Sequence, residues 1–164
     1  MAFRQPLLTV AMLAAALFAV QASAATVTAA VSVSINKPLL LSRVSDLNFG
    51  TITIASSTLT SVVRISQAGV VTCPVGATCT GTTAAATFNV QGSNKNTVLI
   101  TVPPTILSNG SDSIPFTPDA PLSIYLPNSG APGENFNVGG SVAIAPTSAG
   151  GTYTGTVSVT ADYQ

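Results

Sequence analysis

An all-β fold, a single antiparallel sandwich of short strands with immunoglobulin-like character, is predicted by three observations. The first is alternation. In residues 153–163, Tyr153, Gly155, Val157, Val159, Ala161 and Tyr163 share one parity, and Thr154, Thr156, Ser158, Thr160 and Asp162 share the other. A period of two puts successive side chains on opposite faces of a strand. At roughly 3.3 Å per residue this run would span about 35 Å, long for a globular strand. The second is composition: only 6% of residues are charged, while Ser and Thr make up 38 of the 140 residues from position 25 onward. Neutral hydroxyls, rather than the Glu and Lys of exposed helices, must therefore cover the outer faces, and Thr favours extended backbone. The third is punctuation. Gly, Asn and Pro gather at 91–94, 108–111 and 127–130, where turns need positive or fixed φ, and no stretch after residue 24 shows a 3.6-residue stripe. A closed barrel is the lesser alternative to the sandwich.

The elements follow in order. Residues 1–24 read as a cleaved export signal: Arg4 gives a positive start, residues 7–20 are apolar apart from Thr9, and Ala22-Ser23-Ala24 supplies a small-x-small cleavage pattern. The apolar stretch is short for a membrane span. The expected domain is residues 25–164, with no second stretch long enough to cross a bilayer. It opens with an alternating strip at 26–35, Val27, Ala29, Val31, Val33 and Ile35 against Thr and Ser with one Ala. A run at 47–54 (LNFGTITI) carries Gly50 as a bulge or close-approach point. Further runs lie at 61–65, 70–72, 84–90, 97–102, 122–125 and 136–144, giving eight or nine strands in all. Cys73 and Cys79, the only cysteines, bracket five residues, and in an oxidising compartment a structural disulfide is the default. A redox pair would normally space them by two, and zinc would need ligands that the chain lacks.

The inventory speaks against catalysis. The chain has no histidine, and its acids are scattered with no pair spaced to share one strand face. The glycines at 150–155 lead into a strand and lack the dinucleotide-binding spacing. Four basic residues against five acids from residue 25 onward leave no electrostatic footprint for nucleic acid or an anionic membrane. No cofactor or metal is expected: Asn109, Asp112 and Asp119 have the side chains of a calcium site but read as solvated loop residues. Carbohydrate binding finds no Trp, and among the aromatics only Tyr125 lies beside a loop.

The stretch DLNFGTI at 46–52 and the ending AGGTYTGTVSVTADYQ at 149–164 resemble the secreted bacterial family catalogued as domain of unknown function 4402. The ending, with Tyr at the penultimate position, is also similar to fimbrial subunits of the chaperone–usher type and to spore-coat-protein-U-like pilins. That resemblance implies an immunoglobulin-like sandwich lacking one strand, which a periplasmic chaperone and then the next subunit supply. Carried over, Val27, Ala29, Val31, Val33 and Ile35 would be donor residues. Val157, Val159, Ala161 and Tyr163 would border the acceptor groove. The plainer alternative makes 26–35 the first strand of a complete sandwich. The expected function is an exported structural subunit of a fimbria or pilus-like assembly, periplasmic, surface-bound or extracellular, with self-association or a chaperone as partner. The alternative is a self-contained β-sandwich module binding a glycan or protein through loops 109–118 and 127–134.

Overall fold

A computed structural model describes residues 24–55 and 59–164. The expected signal segment, residues 1–24, lies outside them except for Ala24. The chain divides into two compact units, Met1–Ser34 and Ile35–Gln164. Within the first unit, residues 24–34 carry no strand, and Val27, Val31 and Val33 are 94%, 94% and 81% exposed. No residue of the strip at 26–35 therefore belongs to a strand, although its side chains alternate as a strand's would.

The second unit is all-β, with twelve strands and no helix among the described residues. They are β1 (Leu40–Ser45), β2 (Thr51–Ile54), β3 (Ser61–Ile65), β4 (Val71–Thr72), β5 (Ala77–Thr80), β6 (Ala86–Gln91), β7 (Asn96–Thr101), β8 (Thr105–Ser108), β9 (Ser113–Asp119), β10 (Ser123–Leu126), β11 (Glu134–Ile144) and β12 (Thr160–Tyr163). All pairings are antiparallel. One sheet runs β1-β6-β11-β3-β4, with β9 also on β11 and β8 on β9. A second runs β10-β7-β12, and β2-β5 form a ribbon.

The two sheets meet over a shared apolar layer, as expected of a sandwich. Ala86, Phe88 and Val90 of β6 and Phe136 and Val138 of β11 pack against Val98 and Ile100 of β7 and Leu126 of β10. Phe88 and Phe136, directly opposed across β6 and β11, stack at 5.8 Å between ring centroids. A second cluster joins Val63 of β3, Ile114 and Phe116 of β9 and Val142 of β11, and Phe49 meets the Phe116 ring edge-on at 6.2 Å. The long strand β11 thus serves both clusters. Between its two halves sit Gly139 and Gly140: a Cβ on the first would collide with the Ile65 carbonyl and one on the second with the Phe116 ring. Only glycine lets β3 and β9 close on β11 from both sides.

Twelve strands replace the expected eight or nine because β1, β5, β8 and β9 fall outside the expected runs. The edge strand β1 (LLSRVS) half-buries only Leu41. In β9, Pro115 and Pro118 argue against a strand, yet Ile114 and Phe116 alternate inward and both prolines keep ladder positions, opposite Ile106 and Gly140. The strands β5 and β8 are four residues each. The run at 47–54 changes parity midway: Leu47 and Phe49 point inward, then Ile52 and Ile54. Gly50 causes the change, with φ +68° and Thr80 O only 2.5 Å from where a Cβ would stand.

The largest difference concerns the C-terminal run. Only β12 is a strand, although the burial alternation extends back to Val157 and Tyr153 is again half-buried. Tyr163 lies opposite Val98 and Thr160 opposite Thr101. With a one-residue shift the same line reaches Thr154 opposite Ser108. Between those points the partner chain runs from Val102 to Leu107 through Pro103 and Pro104, neither of which has an N–H to give. Residues 155–159 keep the strand's direction and parity but belong to no ladder among the described residues.

Cys73 and Cys79 form the expected disulfide, tying the end of β4 to β5 around the turn at Gly76. Closing so short a loop restricts the unfolded chain by roughly 2–3 kcal/mol. The double variant Cys73→Ser/Cys79→Ser is expected to lose about 2 kcal/mol in urea unfolding with an unchanged denaturant slope. An unchanged midpoint would show that the bridge contributes nothing to stability.

Candidate functional site

A groove of about 1230 Å³ lies in the second unit. One wall is the stretch 43–55, running from β1 into β2, and the other is 144–157. Its floor includes the core side chains Phe88, Phe116 and Val142, and Phe49, Ile52 and Val157 face it from the walls. The lining mixes Ala, Phe, Val, Leu and Ile with Arg43, Asp46, Asn48 and the Ser and Thr of both walls, and the backbone of Gly50, Gly150, Gly151 and Gly155 borders it.

Each wall is fastened from behind. The first is held by the β1–β6 ladder, the Asn48–Ala84 bridge and the β2–β5 ribbon. The second is held at Thr154 by Ser108, with N···O distances of 2.8 and 2.9 Å. Beside it Gly155 comes so near β8 that a Cβ would lie 2.6 Å from Leu107 Cδ2 and 2.8 Å from Ile106 O. Between the walls no described strand lies, so the second wall turns a row of main-chain groups without ladder partners toward the groove. Such an edge is a template for one more strand.

The upper end of the second wall is held by a polar staple. Asp112 Oδ2 accepts from Tyr153 Oη at 2.8 Å and from Ala149 N at 2.8 Å, and Asp112 Oδ1 accepts from Ser113 N at 2.7 Å. The Tyr153 hydroxyl also lies 2.7 Å from Ala149 O, so its one proton has two acceptors. Donation from Ala149 N–H, then from Tyr153, then from Ser113 N–H holds the Asp112 carboxyl below its ordinary pKa of 3.8. Partial burial, followed by the hydrogen bond to Asp112 and its negative charge, holds the Tyr153 phenol above 10.0. The loop that presents Asp112 is itself prebuilt: Asn109 Oδ1 accepts from Ser111 N and Asp112 N, and Gly110 takes φ +93°.

That arrangement accounts for the residues that resembled a calcium site. Asn109 and Asp112 are engaged within and beside their own turn, and Asp119 accepts from Gln67 Nε2 at 2.8 Å. Among the described residues no group of three or more Asp, Glu, His or Cys is placed to hold a metal ion. Of the residues expected to border an acceptor groove, Val157 lines it. Val159, Ala161 and Tyr163 instead pack against the first core cluster, alongside Leu39 and Leu41. The five residues expected as donors are exposed, Ile35 at 82% among them. Sequence reading missed Leu47, Phe49 and Ile52 as one wall and Tyr153 as the staple. The flip of parity at Gly50 was the available signal for the first three.

A family model described as a domain of unknown function (DUF4402) matches residues 39–163. The match covers the strands and the groove and begins after the strip at 26–35. No curated protein and no solved structure matches. Among the described residues no helix is long and apolar enough to cross a membrane.

The staple predicts acid sensitivity. Because folding depresses the Asp112 pKa, its contribution is present above the unfolded value near 3.8 and is lost as pH falls through the lower folded value. The raised Tyr153 pKa acts oppositely, its contribution being lost only as pH rises through a value above 10.0. Asp112→Asn should therefore lower the unfolding midpoint at pH 7 and flatten its decline below pH 3.8. Parallel acid profiles for the two proteins would refute this role for the carboxylate.

Proposed function

The chain belongs to the DUF4402 family, and from that premise we propose that it is an exported structural subunit that assembles by β-strand addition, as in a fimbria or pilus-like fibre. The observation that carries the reading is the open side of the groove's second wall, where residues 153–157 are held to β8 through Thr154 and no described strand lies on the groove side. The occupant is the strip at 26–35 of a second copy. It offers Val27, Ala29, Val31, Val33 and Ile35 on one parity and small polar residues, with Ala30, on the other. A strand added at such an edge satisfies main-chain groups while alternate side chains enter the groove. Burial of Val27, Val31, Val33 and Ile35 would contribute on the order of 6–12 kcal/mol gross, before the cost of ordering the strip. That margin allows a persistent junction.

Export follows in this reading from the signal pattern in residues 1–24, and a periplasmic chaperone would cover the groove before assembly. A second reading, a self-contained module that binds a glycan or protein through loops 109–118 and 127–134, has Tyr125 in its favour. That ring is 57% exposed at the end of β10, next to the second loop. The first loop fits this reading poorly, since Asn109 and Asp112 are engaged in holding it and the groove wall.

The test uses a chain that begins at Pro38, to which a synthetic peptide of residues 25–36 is added. With peptide at about a hundredfold excess over its Kd, the thermal midpoint should rise by roughly 5 °C or more. A peptide carrying Val31→Asp and Val33→Asp should leave it unmoved. A shortened chain that is already stable and indifferent to both peptides would end the strand-addition reading and favour the monomeric module.

A further inference from the structure

At the end of the domain where β1 begins and β12 ends, one hydroxyl joins the first and last segments of the fold. Tyr163 Oη donates to the Lys37 carbonyl at 2.7 Å and accepts from Ser93 N–H at 2.7 Å. Ser93 Oγ, in a residue only 7% exposed, accepts from Lys37 N–H at 2.6 Å. Both main-chain polar groups of Lys37 are therefore taken. Asn36 Oδ1 accepts from Asn96 Nδ2 at 3.2 Å, and the residue after Lys37, Pro38, has no N–H. Gly92 makes room for this clasp: any Cβ there would collide with Tyr163 Oη and stand 2.8 Å from Leu39 Cδ2.

The clasp sits where a competing reaction would start. The strip ends at Ile35 and β1 starts at Leu40, leaving residues 36–39 between them. A four-residue connection is a common hairpin loop. If the strip turned back along β1, it would enter the groove of its own chain. Closing so short a loop costs little entropy, and the tethered strip acts at an effective concentration that no separate copy matches. Without an obstacle, each subunit would complete itself and growth would stop.

Resting on the strand-addition reading, we infer that the Tyr163–Lys37–Ser93 clasp is that obstacle, a guard that withholds the strip from its own groove and keeps it for the next copy. A hairpin through 36–39 needs the Lys37 peptide to turn. Turning it breaks the bonds to Tyr163 and Ser93 and detaches Asn36 from Asn96. Tyr163 is in this sense a positioning residue: it acts on the root of the strip and does not line the groove.

The experiment takes the whole chain from Ala25 at a concentration low enough to be monomeric and titrates it with a dye-labelled peptide of residues 25–36. The wild-type chain should bind the peptide and, when concentrated, polymerise. Tyr163→Phe, which removes the hydroxyl and keeps the ring, and Gly92→Ala, which displaces it, should bind the peptide about tenfold more weakly or worse. They should also remain monomeric and unfold at a higher temperature that does not depend on concentration. A tyrosine that merely stabilised the domain would lower that temperature, so the sign separates the two roles. Ser93→Ala, which removes one bond only, gives the same readout should the others misfold. Variants that bind peptide and polymerise like the wild type would overturn the guard and leave strand addition standing. Failure of every chain, wild type included, to bind the peptide would overturn strand addition, and the guard with it.

Discussion

The course of the C-terminal run is set by the inability of proline to donate a backbone hydrogen bond. The C-terminal run lies along β7 and β8, but the middle of that partner is Val102-Pro103-Pro104. The ladder therefore holds at Thr160–Tyr163 and again at Thr154, and lapses between. A segment held only at its ends could have drifted onto the core or out into solvent. It does neither: Gly155 fits closely against Ile106 and Leu107, and Tyr153 is hydrogen-bonded to Asp112. Local chemistry thus keeps a strand-shaped wall in place without a strand's hydrogen bonding.

The rest of the domain is organised so that this wall and its counterpart stand apart. Both apolar clusters hang on β11, which reaches the first through Phe136 and Val138 and the second through Val142. Glycine at 139 and 140 lets β3 and β9 approach there, so the centre of the larger sheet is tight. Looseness is displaced to the seam between the first and last elements of the fold. At one end of that seam Leu39, Leu41, Val159 and Ala161 pack on the first cluster. Further along, Phe49, Ile52 and Val157 line the groove. Core packing and an open seam are therefore complementary products of one topology.

How much of this the sequence disclosed depends on range. The sandwich class was legible from alternation, hydroxyl content and turn residues, and the strand Ser61–Ile65 coincides with its periodic run. The run at 153–163 disclosed its inward face at Tyr153 and from Val157 to Tyr163, where burial alternates, but a period of two says nothing about hydrogen-bond partners. Those depend on Pro103 and Pro104, some fifty residues away. The strand β9 was hidden by Pro115 and Pro118, because propensity argued one way and the burial of Ile114 and Phe116 prevailed. The groove was invisible for the same reason as the missing ladder: its walls are about a hundred residues apart in the chain. Tyr163 stands out in the sequence as a penultimate tyrosine, yet its partners Lys37 and Ser93 carry no local mark.

The near absence of charge has a colloidal consequence. The described residues contain one ion pair, Arg43–Asp46, exposed on both sides, and the chain has no histidine. Contacts made of apolar surface, main-chain bonds and neutral hydroxyls are little altered by ionic screening. Nor do like-charged surfaces hold neighbouring domains apart. Spacing between such bodies rests largely on the hydration of Ser and Thr faces, so their affinity for one another should change little with screening at low salt and rise in salting-out ions such as sulfate.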